Sequence, residues 1–167
     1  KDQPGVEADL RSVIGTTYLA LGAYPEAEQH LRAALSLRQN LPDKDARPFL
    51  GGDLSNLADV FSAQVKRVEQ EALMRESLAS HRSLHPGDHP DVAGAEQGLA
   101  AALRSQGKLG EAEPHYRVAL DMRRRLYGAE HIDIAQSVNS LALLMQNKGN
   151  HASAEPLFRE ALAMRRK

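Results

Sequence analysis

The sequence contains no cysteine and no tryptophan, and its other aromatic residues are limited to three phenylalanines and four tyrosines. The absence of cysteine excludes disulfides, thiolate metal ligands and a cysteine nucleophile. Charge of one sign is not in excess, because 21 basic and 22 acidic residues give a formal net charge of -1. We therefore expect a cytoplasmic protein without a nucleic-acid or membrane partner, and the short apolar runs exclude a transmembrane helix.

What the sequence does contain is an internal repeat with a period of 42 to 43 residues. Residues 107–125, GKLGEAEPHYRVALDMRRR, align with residues 149–167, GNHASAEPLFREALAMRRK, and with residues 22–38, GAYPEAEQHLRAALSLR. A fourth copy, residues 65–82, matches the repeat pattern less well, since Val65 stands where the others have glycine. Repeats at approximately 7–42, 48–86, 90–128 and 132–167 predict a single array over residues 1–167.

Each copy predicts two helices joined by a short turn. Apolar residues recur at helical spacing in the first helix of each copy: Ile14, Tyr18 and Leu21; Leu54, Leu57 and Phe61; Leu99 and Leu103; Val138, Leu141 and Met145. A small residue follows the central apolar one each time, which would let a neighbouring helix approach closely: Gly15, Ala58, Ala100 and Ala142. Glycine then supplies the left-handed conformation that ends a helix, at Gly22, Gly107 and Gly149.

This small-residue pattern, with Gly15, Tyr18, Ala27 and Ala34 in the first copy, resembles the tetratricopeptide repeat. The longer unit, with NLA at residues 56–58 and DHPDVA between repeats, is similar to the kinesin-light-chain type. The resemblance implies an all-α fold, a right-handed superhelical α-solenoid of four helix–turn–helix repeats. It implies little about function, because one fold serves many hosts.

The stretch HPGDHPD, residues 85–91, concentrates metal-ligand residue types and must be weighed as a metal site. Its repeat partner is LYGAEHIDIA, residues 126–135, in which His89 and Asp91 recur as His131 and Asp133, while His85 is replaced by Tyr127. Since one histidine alone recurs, we expect a loop that opens the next helix, and no metal.

The arginine runs at residues 123–125 and 165–167 have the same kind of explanation. Cations at the last turn complement the helix dipole, and no aromatics interleave with them as in a nucleic-acid surface, so we expect solvated helix ends. No nucleophile elbow or phosphate loop is present. The sequence thus predicts a protein that is not an enzyme and needs no cofactor.

Stacked repeats of this family form a concave groove lined mainly by the first helices, and that groove usually holds an extended or helical peptide. The resemblance therefore implies a protein-interaction scaffold that binds a peptide or partner domain. Polar first-helix residues that the core pattern does not use are the candidate contacts: Ser12, Thr16, Asn56, Asp59, Gln97, Arg104, Asn139, Gln146 and Asn147. Amides suit this task because one side chain both donates and accepts hydrogen bonds.

Two alternatives stay open. Leu157, Phe158 and Leu162 place apolar residues on a last helix with no polar capping helix after it, which solenoids normally need. That helix would allow homo-oligomerisation through the array end, or would continue into further repeats of a larger protein. We expect the chain to be a segment of a larger protein, and the second alternative is that the array is the regulatory or sensory arm of a multidomain enzyme.

Overall fold

The computed structural model describes residues 3–166, apart from the side chain at position 43, and every regular element in this range is an α-helix. The helices, in chain order, are α1 (Pro4–Ala20), α2 (Tyr24–Gln39), α3 (Asp43–Ala63), α4 (Arg67–Leu84), α5 (Pro90–Ser105), α6 (Leu109–Tyr127), α7 (Ile132–Asn147) and α8 (His151–Arg165). None of the helices in residues 3–166 combines the length and hydropathy that crossing a membrane requires.

Consecutive helices pair as hairpins, α1 with α2, α3 with α4, α5 with α6 and α7 with α8. The chain divides between Leu84 and His85 into two compact units, each made of two hairpins. Unit 1 comprises α1–α4 and unit 2 comprises α5–α8. The predicted all-α repeat of helical hairpins is confirmed, although α3 begins at Asp43, earlier than the expected boundary near residue 48.

The same backbone hydrogen bond closes the turn of each of the four hairpins. The amide of the residue after the turn position donates to a carbonyl in the last turn of the first helix: Ala23 to Tyr18, Lys66 to Phe61, Lys108 to Leu103 and Asn150 to Met145, at 2.8–3.0 Å. This is the Schellman ending, which requires a left-handed residue. Gly22, Gly107 and Gly149 supply it with φ of 75° to 78°, as predicted, and Val65 adopts φ 62° in their place.

The core of unit 1 depends on close approach between its helices. Leu31 on α2 is fully buried and belongs to a cluster with Leu35, Leu57 and Phe61. A Cβ atom on Gly15 would lie 2.6 Å from Leu31 Cγ, so α1 can seat against α2 here only because residue 15 is glycine. The small residue predicted at this position is therefore a packing requirement.

In unit 2 the core contains a polar pair among its apolar side chains. Leu99, Leu103 and Leu120 are buried. Glu96 on α5 is also fully buried, and its Oε2 lies 2.6 Å from Nδ1 of His115 on α6. A buried carboxylate needs such a partner because burial of an unpaired charge is costly.

Two apolar residues predicted for the core are instead exposed. Ile14 is 40% exposed and Leu21 is 74% exposed, and Val6, Leu10 and Val13 extend the exposed apolar surface along α1. The pattern of α1 is apolar on more than one side, so periodicity could not tell the face that packs on α2 from the face that does not. We call Val6, Leu10, Val13, Ile14 and Leu21 the α1 row.

Candidate functional site

The candidate contacts lie on the first helices of the hairpins, and each unit is considered by itself. On α1 and α3, Ser12 and Thr16 are one helical turn apart, as are Asn56 and Asp59, so each pair shares a face of its helix. We call these four residues the unit 1 face. The unit 2 face consists of the candidates on α5 and α7: Gln97, Arg104, Asn139, Gln146 and Asn147.

Ser12 of the unit 1 face is not free to bind a ligand, because it belongs to a buried polar network. Its hydroxyl donates to Asp53 on α3, and the other carboxylate oxygen of Asp53 accepts from Nε of Arg38 on α2. Arg38, which is 3% exposed, also donates through Nη2 to Asp9 at 2.7 Å. We call this network a bracket, since it joins α1, α2 and α3. Burial by itself would lower the pKa of Arg38, but the bonds from Asp53 and Asp9 raise it.

A second bracket in unit 2 uses Gln97. Arg123, at the end of α6 and 9% exposed, donates through Nη1 to Gln97 Oε1 on α5, to Ser137 Oγ on α7 at 2.7 Å, and to the carbonyl of Asp133 at 3.1 Å. The Ser137 hydroxyl donates in turn to Gln97 at 3.0 Å. Burial lowers the pKa of Arg123. The expectation of a solvated end was therefore wrong for Arg123, because a neighbouring first helix covers it.

The other arginines of that run are exposed, as expected. Arg124 pairs with Glu160 at 3.0 Å, and Arg125 forms a two-pronged pair with Asp88 at 2.5 and 2.8 Å. Arg125 lowers the pKa of the Asp88 carboxyl. The brackets were missed because an arginine in a last turn is usually assigned to solvent. The available signal was the internal register, in which Arg38 and Arg123, and Ser12 and Gln97, occupy matching positions.

The remaining residues of the unit 1 face keep binding capacity. Thr16 donates its hydroxyl to the carbonyl of Val13 at 3.0 Å, within its own helix. Asn56 is half-buried and makes no side-chain hydrogen bond within the described part of the chain. Asp59 keeps exposed surface, yet surrounding protein displaces enough water to raise the pKa of its carboxyl. The side chains of Asn56 and Asp59 can therefore bond a ligand without first breaking a bond in the protein.

On the unit 2 face, Arg104 is held by a buried tyrosine. Nε of Arg104 donates to the hydroxyl of Tyr116 on α6 at 3.3 Å, and Tyr116 is 1% exposed. Burial raises the pKa of Tyr116, while the bond from Arg104 opposes that shift. Among residues 3–166 no carboxylate pairs with Arg104, so its terminal nitrogens remain available. An oriented guanidinium of this kind suits a carboxylate ligand.

The amides of α7 complete the unit 2 face. Asn139 is half-buried, whereas Gln146 and Asn147 near the end of the helix are exposed. None of the three makes a side-chain hydrogen bond to another residue that the structure describes. The two faces thus divide the nine candidates into seven that remain accessible and two, Ser12 and Gln97, that hold helices together.

The histidines of the inter-repeat loops have a structural role that the sequence did not predict. His89 and His131 are the N-caps of α5 and α7, and each Nδ1 accepts from the backbone amide two residues later, at 3.2 Å. The aromatic residue four positions before each capping histidine stacks on its ring. His85 stacks on His89 with 3.4 Å between ring centroids, and Tyr127 stacks on His131 with 4.1 Å between ring centroids. The predicted helix starts are confirmed, and His85 and Tyr127 are equivalent in this stacking role.

Comparisons with known proteins agree with this architecture. A model of the tetratricopeptide repeat family matches residues 53–125 and 91–167, and a second one matches residues 8–41. No curated protein matches the chain. Solved structures that resemble it include BtubC (BKLC) from P. vanneervenii, with 24% sequence identity and a TM-score of 0.84 over 98% of this chain and 64% of that one.

Two further structures show the same fold at lower identity. A putative kinesin light chain of P. anserina with nearly identical TPR-like repeats is 20% identical, with a TM-score of 0.77 over 95% of this chain and 74% of that one. A Rap protein complexed with competence and sporulation factor is 13% identical, with a TM-score of 0.82 over 98% and 44%. The predicted all-α helical-repeat solenoid is confirmed, and the chain spans only part of each of these proteins.

Proposed function

Because the chain belongs to the tetratricopeptide repeat family, we propose that it is a non-catalytic protein-interaction module. The unit 1 face and the unit 2 face are each a binding surface for a peptide or a partner domain. The observation that carries the proposal is the set of unpaired polar side chains there, Asn56 and Asp59 on α3 and Asn139 on α7, none bonded within residues 3–166. Half-buried amides without partners are suited to the backbone of an extended peptide.

The brackets support this proposal by holding the faces in place. Each bracket ties neighbouring first helices to the second helix between them, through Arg38 in unit 1 and Arg123 in unit 2. Side chains on those first helices therefore project from fixed positions. A ligand that binds to preorganised groups loses less free energy to ordering than one that binds to a mobile surface.

Arg104 gives the unit 2 face a preference for acidic ligands. Its Nε is held by Tyr116, which leaves Nη1 and Nη2 to bind a carboxylate. A charge-assisted bond of this type contributes about 1.5–3 kcal/mol, equivalent to roughly 10- to 150-fold in affinity. We expect a peptide that carries an aspartate, a glutamate or a free carboxyl terminus at this point.

A random peptide library displayed on phage tests the proposal, because the selection requires no candidate partner. Peptides selected on the chain should bind an Arg104→Ala variant roughly 10-fold or more weaker, and an Asn139→Ala variant about 2- to 10-fold weaker. Arg159→Ala and Gln29→Ala, which change exposed side chains on α8 and α2, are the matched controls and should leave affinity unchanged. Equal affinity for all four variants would reject the unit 2 face as the binding surface.

Self-association is a second candidate function, favoured by the exposed α1 row. Val13 is 63% exposed and Leu10 58% exposed, and contiguous apolar surface of this kind marks interaction sites. On α8, the helix that the sequence suggested for this role, Leu157 and Phe158 are half-buried and Leu162 is exposed. The mass from light scattering over a concentration series should then exceed the 18.3 kDa of one chain. Leu10→Gln should restore the monomer mass, while Val68→Gln, at an exposed apolar site on α4, should not.

A further inference from the structure

An ion triad recurs at the same place in both units, on the second helices and the hairpin turns that follow. In unit 1, Glu28 on α2 accepts from Arg32 Nε and Lys66 Nζ, both at 2.9 Å. In unit 2, Glu113 on α6 accepts from Arg117 Nη2 at 2.7 Å and Lys148 Nζ at 2.6 Å. The cations lower the pKa of Glu113, and in unit 1 they outweigh the burial that would raise the pKa of Glu28.

In unit 1 an aromatic ring lies beneath the two cations. The guanidinium of Arg32 is 5.2 Å from the ring centre of Phe61, and the ammonium of Lys66 is 4.9 Å from it. Phe61 is 3% exposed. Both contacts are within the range of a cation–π interaction, so the triad and the ring form one arrangement in which the ring supplies the apolar floor.

Unit 2 also has an arginine and a lysine on its glutamate but lacks the ring, and its lysine, Lys148, stands at the register position of Gln64. Counted from the small residues Ala58 and Ala142, the position of Phe61 is occupied by Met145, which has no aromatic face. Two other positions on the rim also carry smaller side chains in unit 2, where Asn150 replaces Lys66 and Ala152 replaces Val68. A cavity of about 530 Å³ lies here, with Leu141 and Met145 as its buried floor and with Arg117, Lys148 and Leu157 among its walls.

We propose that this cavity binds an aromatic side chain of a partner peptide, whose ring packs on Met145 and meets Arg117 and Lys148, as the Phe61 ring meets Arg32 and Lys66 in unit 1. The floor is apolar, the rim residues Asn150 and Ala152 are exposed, and two cations line the opening. A ring of phenylalanine or tryptophan would bury its faces against Met145 and Leu141, and its π-system would meet Arg117 and Lys148. No residue of the unit 2 face lines this cavity, and the proposal does not depend on the function proposed for that face.

Selective ¹³C labelling of the methionine methyl groups tests the proposal, with N-acetyltryptophanamide as the probe. A ring in the cavity should shift the Met145 methyl resonance upfield, while the methyl of Met122, buried elsewhere on α6, should not move. N-acetylleucinamide, which has no ring, should bind more weakly and give no ring-current shift. Equal shifts from both probes, or an unmoved Met145 resonance, would overturn the proposal.

Three variants separate the contributions of space and charge. Met145→Phe fills the cavity with a ring of the protein itself and should abolish binding of the probe. Ala152→Leu narrows the opening of the cavity from its exposed rim and should also abolish binding. The second variant tests the cavity even if Met145→Phe does not fold. Arg117→Gln should weaken the tryptophan probe about 2- to 5-fold and leave the leucine probe unchanged. Arg159→Gln, which removes a similar exposed pair with Glu155 on α8, is its control. Unchanged probe binding by both filled variants would show that the cavity is not the site.

Discussion

Replacing Val65 with glycine should stabilise the protein. Val65 occupies the left-handed turn position of the second hairpin with φ 62°, where the other three hairpins have glycine. Its side chain is 60% exposed, so it contributes little to the core. A β-branched residue is the worst suited to this conformation, because its Cβ substituents crowd the backbone.

The size of the effect follows from three contributions. A left-handed conformation costs an L-residue about 1–2 kcal/mol, and the upper end applies to valine. Two effects reduce the stabilisation. Glycine increases the entropy of the unfolded chain, which costs about 0.4–1 kcal/mol, and loss of the partly buried valine side chain costs about 0.5 kcal/mol. The net expectation is a gain of about 0.5–1 kcal/mol, or roughly 1–4 °C in Tm for a chain of this length.

Urea denaturation followed by circular dichroism measures this gain as a higher midpoint at an unchanged m-value. Val65→Ala, which removes the branch but keeps a Cβ, should recover only part of it. The reciprocal change Gly149→Val, at φ 75° and with open space around the Cα, should lower the midpoint. A lower midpoint for Val65→Gly, or an unchanged one for Gly149→Val, would refute the assignment of strain to residue 65.

Three further changes test the brackets, the unit 1 face and the helix caps. Arg38→Met should cost about 3–5 kcal/mol in urea denaturation, because Asp53 stays buried without its cation, whereas Arg38→Met combined with Asp53→Leu should recover most of the loss; equal losses would contradict the pairing. Asp59→Asn should raise Tm at pH 7, because burial raises the pKa of Asp59 above its ordinary value of 3.8. The folded protein therefore loses stability when the carboxyl ionises, and the asparagine variant avoids that loss. The difference in Tm between the variant and the original chain should disappear below about pH 3.8, where the carboxyl is protonated in both the folded and the unfolded state. His131→Ala should lower stability by about 0.5–2 kcal/mol through loss of the cap on Asp133, and an unchanged urea midpoint would reject the capping role.

The fold could be predicted from the sequence because its information is local and repeated. The period of 42 to 43 residues sets the hairpins, and the glycines that end the first helices mark the turns, including the turn at Val65 where glycine is absent. The requirement for a small residue at Gly15 also follows from helix packing, and the structure places Leu31 against it.

Side-chain partners across the fold were harder to predict. Ser12 and Gln97 have the residue types and spacing of ligand contacts, but the arginines of their brackets, Arg38 and Arg123, lie 26 residues further along the sequence in both units. The apolar pattern of one helix does not predict a polar contact with a residue on another helix. Asn56, by contrast, has no internal partner within residues 3–166, so its role as a ligand contact stays a prediction that no internal hydrogen bond opposes.

The brackets also determine where this chain can be cut and recombined. Exchange of whole hairpins would place a junction in the loop between α2 and α3 or between α6 and α7. Such a junction would separate Arg38 from Asp53, or Arg123 from Ser137, and leave a buried guanidinium facing a foreign helix. Chimeras that carry a second helix together with the first helices on both sides of it, α1–α3 or α5–α7, would inherit a complete bracket. The natural segment for grafting is thus a hairpin together with the first helix that follows it.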